Sequence, residues 1–144
     1  MIPHRALGLI LALGSPLAAS AAPVPWPAGE VVYHFDGGLA QATKGLRNIR
    51  NHLDVDPKAK IVAVAHAEGV DFLMEGAKTT NNQEFAALVS DLEARGVKFE
   101  ICEITLKNRN LKKEQFILGP SFVPSGVVEI AHLQAVEHYA YIKP

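Results

Sequence analysis

A single cysteine, Cys102, stands in 144 residues. One thiol cannot close an intramolecular disulfide, nor can it supply the several thiolates of a structural zinc site, so any sulfur chemistry runs through that one atom. Excess charge of one sign is also missing: 14 Lys plus Arg face 15 Asp plus Glu, a formal net charge of −1. Without a basic surplus to neutralise phosphates, nucleic acid is not an expected partner. The chain has no P-loop, no dinucleotide-binding glycine fingerprint and no nucleophile elbow, and no cofactor is expected. Internal repeats and low-complexity tracts are absent as well. What remains, 49% hydrophobic, 20% charged and 7% aromatic, fits one compact globular domain.

No apolar run reaches the roughly 20 residues that span a bilayer. The longest, Ala6 to Ala19, is interrupted by Gly8, Gly14 and Pro16. It follows the only early charge, Arg5, and precedes the small-residue triplet Ala19-Ser20-Ala21. This is the pattern of a secretory signal peptide, predicted over residues 1–22, with a periplasmic protein free of stable membrane insertion as the product. No cysteine or twin-arginine pair lies near the expected cleavage point. Residues 23–30 then read as an extended tail, because Pro23, Pro25 and Pro27 around Trp26 forbid a helix or a central strand. Residues 31–144 form the expected single domain.

Within that domain strand and helix patterns alternate. Val31–Phe35, Lys60–Ala67 and Val97–Leu106 are apolar, β-branched or aromatic runs. Phe122–Pro124 and Tyr139–Ile142 add two short strands. Leu39, Ala42, Leu46, Ile49 and Leu53 recur at the spacing of an amphipathic helix. A short helix over Val70–Gly76 and a polar loop over Lys78–Gln83 come next. Phe85, Leu88, Val89 and Leu92 then form the apolar stripe of a helix stopped at Gly96. Lys107–Leu118 reads as a polar loop or short helix, and Ser125 is placed to cap a last helix over Val127–His138. Runs this apolar are covered on both faces. The pattern therefore predicts a three-layer α/β/α sandwich around a mostly parallel five-stranded sheet with right-handed crossovers.

In such sheets ligands gather outside the carboxyl ends of the strands, which directs attention to His66 and Cys102. Cys102, read inside a strand running to Leu106, alternates with Glu100 and Ile104. Lys107 to Lys113 follows with four positive charges and no negative one. Nearby cations favour a thiolate over a thiol, and would also draw in a small anion, with Lys107 and Arg109 first in line. Glu100 and Glu103 act in the opposite sense. The helix start at Ser125 and Gly126 offers free backbone N–H groups as a second anion contact. His66 is a candidate proton-transfer group. His34, His66 and Cys102 would match a three-ligand zinc or copper site if they shared one crevice, although no spacing motif links them. His132 and His138 read as surface residues.

VVYHFD, LRNIRNHLD, KIVAVAHAEGVDFLMEGAK, VKFEICEITL and the ending VPSGVVEIAHLQAVEHYAYIKP together resemble the DsrE/DsrF-like family, in particular its small exported members. The resemblance implies a five-stranded α/β sandwich, assembly into trimers or hexamers, and a cysteine, here Cys102, able to carry a persulfide in sulfur relay. Exported members commonly read Cys-x-Asn-Thr-Leu at this point, whereas this chain has Ile104 in the Asn position. Ala67 likewise stands where a Gly often follows the His. Two readings follow. One is a sulfur-carrier or sulfurtransferase-like protein that takes sulfane sulfur on Cys102 from a small anionic donor and passes it to a protein acceptor. The other is a non-catalytic oligomeric binding module in which Cys102 is a buried structural residue.

Overall fold

The computed structural model describes residues 29–144. The expected signal peptide and most of the proline-rich tail, Trp26 included, lie outside the described residues. Five strands, β1 (Glu30–Phe35), β2 (Lys60–Ala65), β3 (Lys98–Cys102), β4 (Ser121–Val123) and β5 (Ala140–Ile142), form one sheet in the order β4-β3-β2-β1-β5. Every pairing is parallel. Four α-helices connect them: α1 (Leu39–Val55), α2 (Phe85–Ala94), α3 (Glu103–Asn108) and α4 (Gly126–Ala135). Among the described residues no helix is long and apolar enough to cross a membrane.

The strand order explains how the helices are distributed. From β1 to β4 the chain steps steadily towards one edge, so right-handed connections place α1 and α2 on the same face. The step from β4 to β5 reverses direction past β1, and the same handedness puts α4 on the other face. Side-chain parity follows. Val31, Tyr33, Phe35, Ile61, Ala63, Ala65, Phe99 and Ile101 point into a large core with α1 and α2. Val32, Val62 and Val64 meet Ile130 and Leu133 of α4 in a much smaller one. Phe72 centres the large core, with its ring 5.2 Å from that of Phe35, 5.8 Å from Phe85 and 6.2 Å from Phe99.

Several boundaries differ from the sequence expectation. The third strand stops at Cys102 instead of Leu106, because α3 begins at the next residue. Ile104 therefore does not share a strand face with Cys102. The second strand stops at Ala65, and the segment expected to be a helix over Val70–Gly76 is a 3-10 helix over Ala67–Leu73. Lys107–Leu118 holds the end of α3 and a 3-10 turn at Lys113–Gln115. The last helix ends at Ala135, and Ser125 caps it as expected, accepting a hydrogen bond from the Val128 N–H at 3.3 Å.

Candidate functional site

The carboxyl ends of β2 and β3 open into a cleft of about 440 Å³ whose lining includes His66, Ala67, Cys102, Thr105, Arg109 and Ser125. Its back wall is the turn that follows β2. His66 keeps an extended backbone and donates its N–H to the Phe35 carbonyl at 3.0 Å, which prolongs the β1–β2 ladder by one bond. Ala67 then adopts φ +52, a left-handed conformation that costs a residue with a Cβ roughly 1 kcal/mol. Two residues on, Gly69 lies so close to β1 that a Cβ there would sit 2.1 Å from the Phe35 carbonyl oxygen. A glycine is thus required at 69, and the turn is pressed onto the end of β1.

Cys102 is the last residue of β3 and the N-cap of α3, with 4% of its surface exposed. Burial pushes its thiol pKa up. The backbone N–H of Gly126, the Thr105 hydroxyl and the backbone N–H groups of Thr105 and Ile104 outweigh that penalty and hold the thiol below its ordinary value. The N-termini of α3 and α4 therefore converge on one sulfur, and their unpaired N–H groups favour its anionic form. Thr105, itself buried, accepts a hydrogen bond from the Ala67 N–H at 2.9 Å, which leaves its own proton for Cys102. Gly126 lets α4 approach: a Cβ there would lie 3.2 Å from Cys102 Cβ and 3.3 Å from His66 Cβ.

Beside the thiol, the His66 ring stacks on His34, with Nε2 to Nε2 at 2.6 Å and ring centroids 4.8 Å apart. At that separation one nitrogen of the pair must donate. His34 Nδ1 in turn lies 2.6 Å from the Tyr141 hydroxyl, so Tyr141, His34 and His66 form a chain of hydrogen bonds ending at the cleft. Burial, then the neighbouring His66, hold the His34 pKa below its ordinary value, with Asp36 acting in the opposite direction. Asp36 is itself kept below the usual carboxylate range, first by Lys143, whose Nζ is 2.7 Å away, and also by Gln41.

Residues 31–144 match the DsrE/DsrF-like family over the whole described domain except its first two residues. The chain belongs to this family. Among solved structures, a protein of unknown function, MTH1491 from Methanobacterium thermoautotrophicum, is similar with a TM-score of 0.71 and 29% identity, covering 81% of this chain and 99% of that one. The ychN protein from E. coli superposes with a TM-score of 0.68 at 14% identity, over the same shares of the two chains, which speaks to fold alone. No curated protein matches the sequence. DsrE-like proteins are generally implicated in sulfur relay.

Against this family background the residues singled out from sequence fall into two groups. His66, Cys102, Arg109 and Ser125 line one cleft, and Gly126 packs against Cys102 and His66 beside it. Lys107 is exposed and does not line the cleft. Arg109 is already engaged, donating to Asp71 Oδ1 at 2.6 Å and to the Ala67 carbonyl at 2.9 Å. Lys113 pairs with Glu103. Backbone N–H groups and the Thr105 hydroxyl, and not these cations, are what lower the thiol pKa. Glu100 points to the α4 face, where burial and then Glu129 raise its pKa, and its Oε2 is buried without a hydrogen-bond partner. Cys102 is not grouped with the histidines as a ligand set; Asp36 is. His132 faces Glu137 at 3.5 Å and His138 is exposed. Thr105, Asp36 and Tyr141 were not among the candidates. Cys-x-x-Thr is the N-cap to N3 spacing of a capped helix, a signal hidden by reading the strand through to Leu106.

Proposed function

We propose that this protein is a sulfur carrier or sulfurtransferase-like relay protein whose acceptor is Cys102. One observation carries the reading: the chain's single thiol lies at a cleft floor with backbone N–H groups of two helix N-termini arranged to stabilise its anion. A thiolate is the form that attacks sulfane sulfur. In the step envisaged, the Cys102 thiolate attacks the outer sulfur of a donor RS–SH, the S–S bond of the donor breaks, RS⁻ departs, and Cys102–S–SH is formed. Atoms and charge balance without an external oxidant. The same N–H groups would then hold the persulfide anion. Arg109, held in the cleft lining by Asp71 and the Ala67 carbonyl, is the cation that an anionic donor would meet there, and His66, backed by His34 and Tyr141, accepts or returns the proton.

The competing reading, a binding module with a structural cysteine, draws support from the 4% exposure of Cys102. Intact mass spectrometry separates the two. Incubation of the reduced protein with a sulfane-sulfur donor should add one sulfur, about 32 Da, that a reductant removes and Cys102→Ser abolishes. A thiol that gains no sulfur in the native protein but reacts after unfolding would establish the binding-module reading instead.

Export and assembly belong to the same proposal. Residues 1–22 support a periplasmic location, which N-terminal sequencing of the protein from its native cell would test. Ile104, Val127 and Val128, exposed at the cleft end of the sheet, and Val136 and Tyr141 on the same α4 side support a homo-oligomer, testable by sedimentation.

A further inference from the structure

We propose that His34, Asp36 and His66 form a binding site for a divalent transition metal that adjoins the thiol cleft and shares His66 with it. The parallel register builds the site. His34 pairs with Val64 and Phe35 with Ala65, so Asp36 and His66 stand side by side one step beyond the last paired residues of β1 and β2. His34 and Asp36 are two residues apart and share one side of β1. A ligand atom from each of the three residues lies within 4.8 Å of the other two, and all three residues are half-buried. Two imidazole nitrogens 2.6 Å apart, with a carboxylate oxygen within 4.8 Å of both, bring three donor atoms together, and the nitrogens need to part only to roughly 3.3 Å to share a tetrahedral metal.

The outer contacts are those of a metal site. A metal-bound histidine usually donates its other ring N–H to an oxygen, which fixes its tautomer. Tyr141 supplies that oxygen, 2.6 Å from His34 Nδ1, and accepts from it once Nε2 binds the metal. Gln41 Nε2 donates to Asp36 Oδ1 at 3.1 Å and orients the carboxylate. Lys143, half exposed near the end of the chain, already compensates the Asp36 charge and is the group a metal would displace. Two imidazoles and one carboxylate suit zinc, cobalt, iron(II) or nickel better than magnesium or calcium. Three protein ligands leave a fourth position for water or a small anion.

Cobalt(II) is the probe. The full chain, stripped with a chelator, is titrated with Co²⁺ while absorption is recorded, followed by displacement with Zn²⁺. The expected result is one equivalent of Co²⁺ per chain, visible d–d bands, and no ultraviolet sulfur-to-cobalt band. Cys102→Ser should bind equally well. Loss of an outer-shell partner typically weakens metal binding about 10–100-fold, so Tyr141→Phe is expected to cost about tenfold, and His34→Gln or Asp36→Asn more. Thermal melting of each variant without metal verifies that it is folded, and Zn²⁺ should raise the melting temperature of the parent but not of His34→Gln. Absence of saturable binding, equal binding by folded His34→Gln, or a sulfur band lost in Cys102→Ser would each overturn the proposal. None of these readouts depends on sulfur transfer by Cys102.

Discussion

The two faces of the sheet are built differently. One carries α1, α2 and the 3-10 segment over a continuous core in which Phe35, Phe72, Phe85 and Phe99 are almost wholly buried. The other carries α4 alone, over five buried apolar residues, Val32, Val62, Val64, Ile130 and Leu133. His34, His66, Glu100 and Cys102 all belong to the second face. The reversal of chain direction between β4 and β5 leaves that face with one helix and room at its carboxyl end for chemistry. Stability and function are therefore divided by sheet face: the face under α1 and α2 carries most of the core, and the α4 face, with a small core of its own, carries the reactive groups at its carboxyl end.

The sharpest way to break this comparison is to truncate one side chain on each face. Phe72→Ala empties the centre of the large core and is expected to cost about 3–5 kcal/mol, while Ile130→Ala, in a small cluster that can collapse, should cost about 2 kcal/mol. Denaturant unfolding of the two variants checks this. Equal losses would mean that the α4 face contributes as much to stability as the other.

Much of this division was legible in the sequence, and the exceptions are physical. The stripe Ala42, Leu46, Ile49, Leu53 and the run KIVAVA announce a helix on a doubly covered parallel strand, and both are found. The stop of β3 at Cys102 was not legible, because Ile104 and Leu106 are as apolar as a strand requires and the turn is made by backbone N–H groups around sulfur. Histidines 32 residues apart acquire their contact only through strand register, which no local spacing reveals. The basic run after Cys102 misdirected the electrostatics: Arg109 and Lys113 turn to Asp71 and Glu103, and the thiol is left to the helix termini.

A smaller effect is expected at Glu100, which the comparison places on the polar, thinly covered face. Its folded-state pKa is raised, by burial first and Glu129 second, so the charged form opposes folding. Stability from this group is complete below the unfolded carboxylate pKa of about 4.3 and declines as pH rises through the folded value. Glu100→Gln should therefore stabilise the protein at pH 7 by about 1 kcal/mol or less, and the gain should vanish near pH 4. Unfolding curves at the two pH values measure it.

The smallest effect should come from the cations. Arg109→Ala breaks a partly exposed pair with Asp71 and is expected to cost less than about 1 kcal/mol, with little change in the thiol pKa. Lys107→Ala should leave both quantities unchanged. A large rise in thiol pKa in either variant, read from alkylation rates, would restore the basic loop as the source of the shift.

Whether the helix N-termini hold Cys102 as a thiolate is read from the pH profile of its alkylation in the native protein. The expected midpoint lies below that of the same thiol in the unfolded chain and is nearly independent of salt between 0.1 M and 1 M, because the groups that lower it lie beside a buried sulfur and are little screened. Gly126→Ala, whose Cβ would lie 3.2 Å from Cys102 Cβ, is expected to raise the midpoint by lifting α4 off the sulfur. A native midpoint at or above the unfolded one, or a thiol that reacts only after unfolding, would mean that the helix N-termini do not activate Cys102.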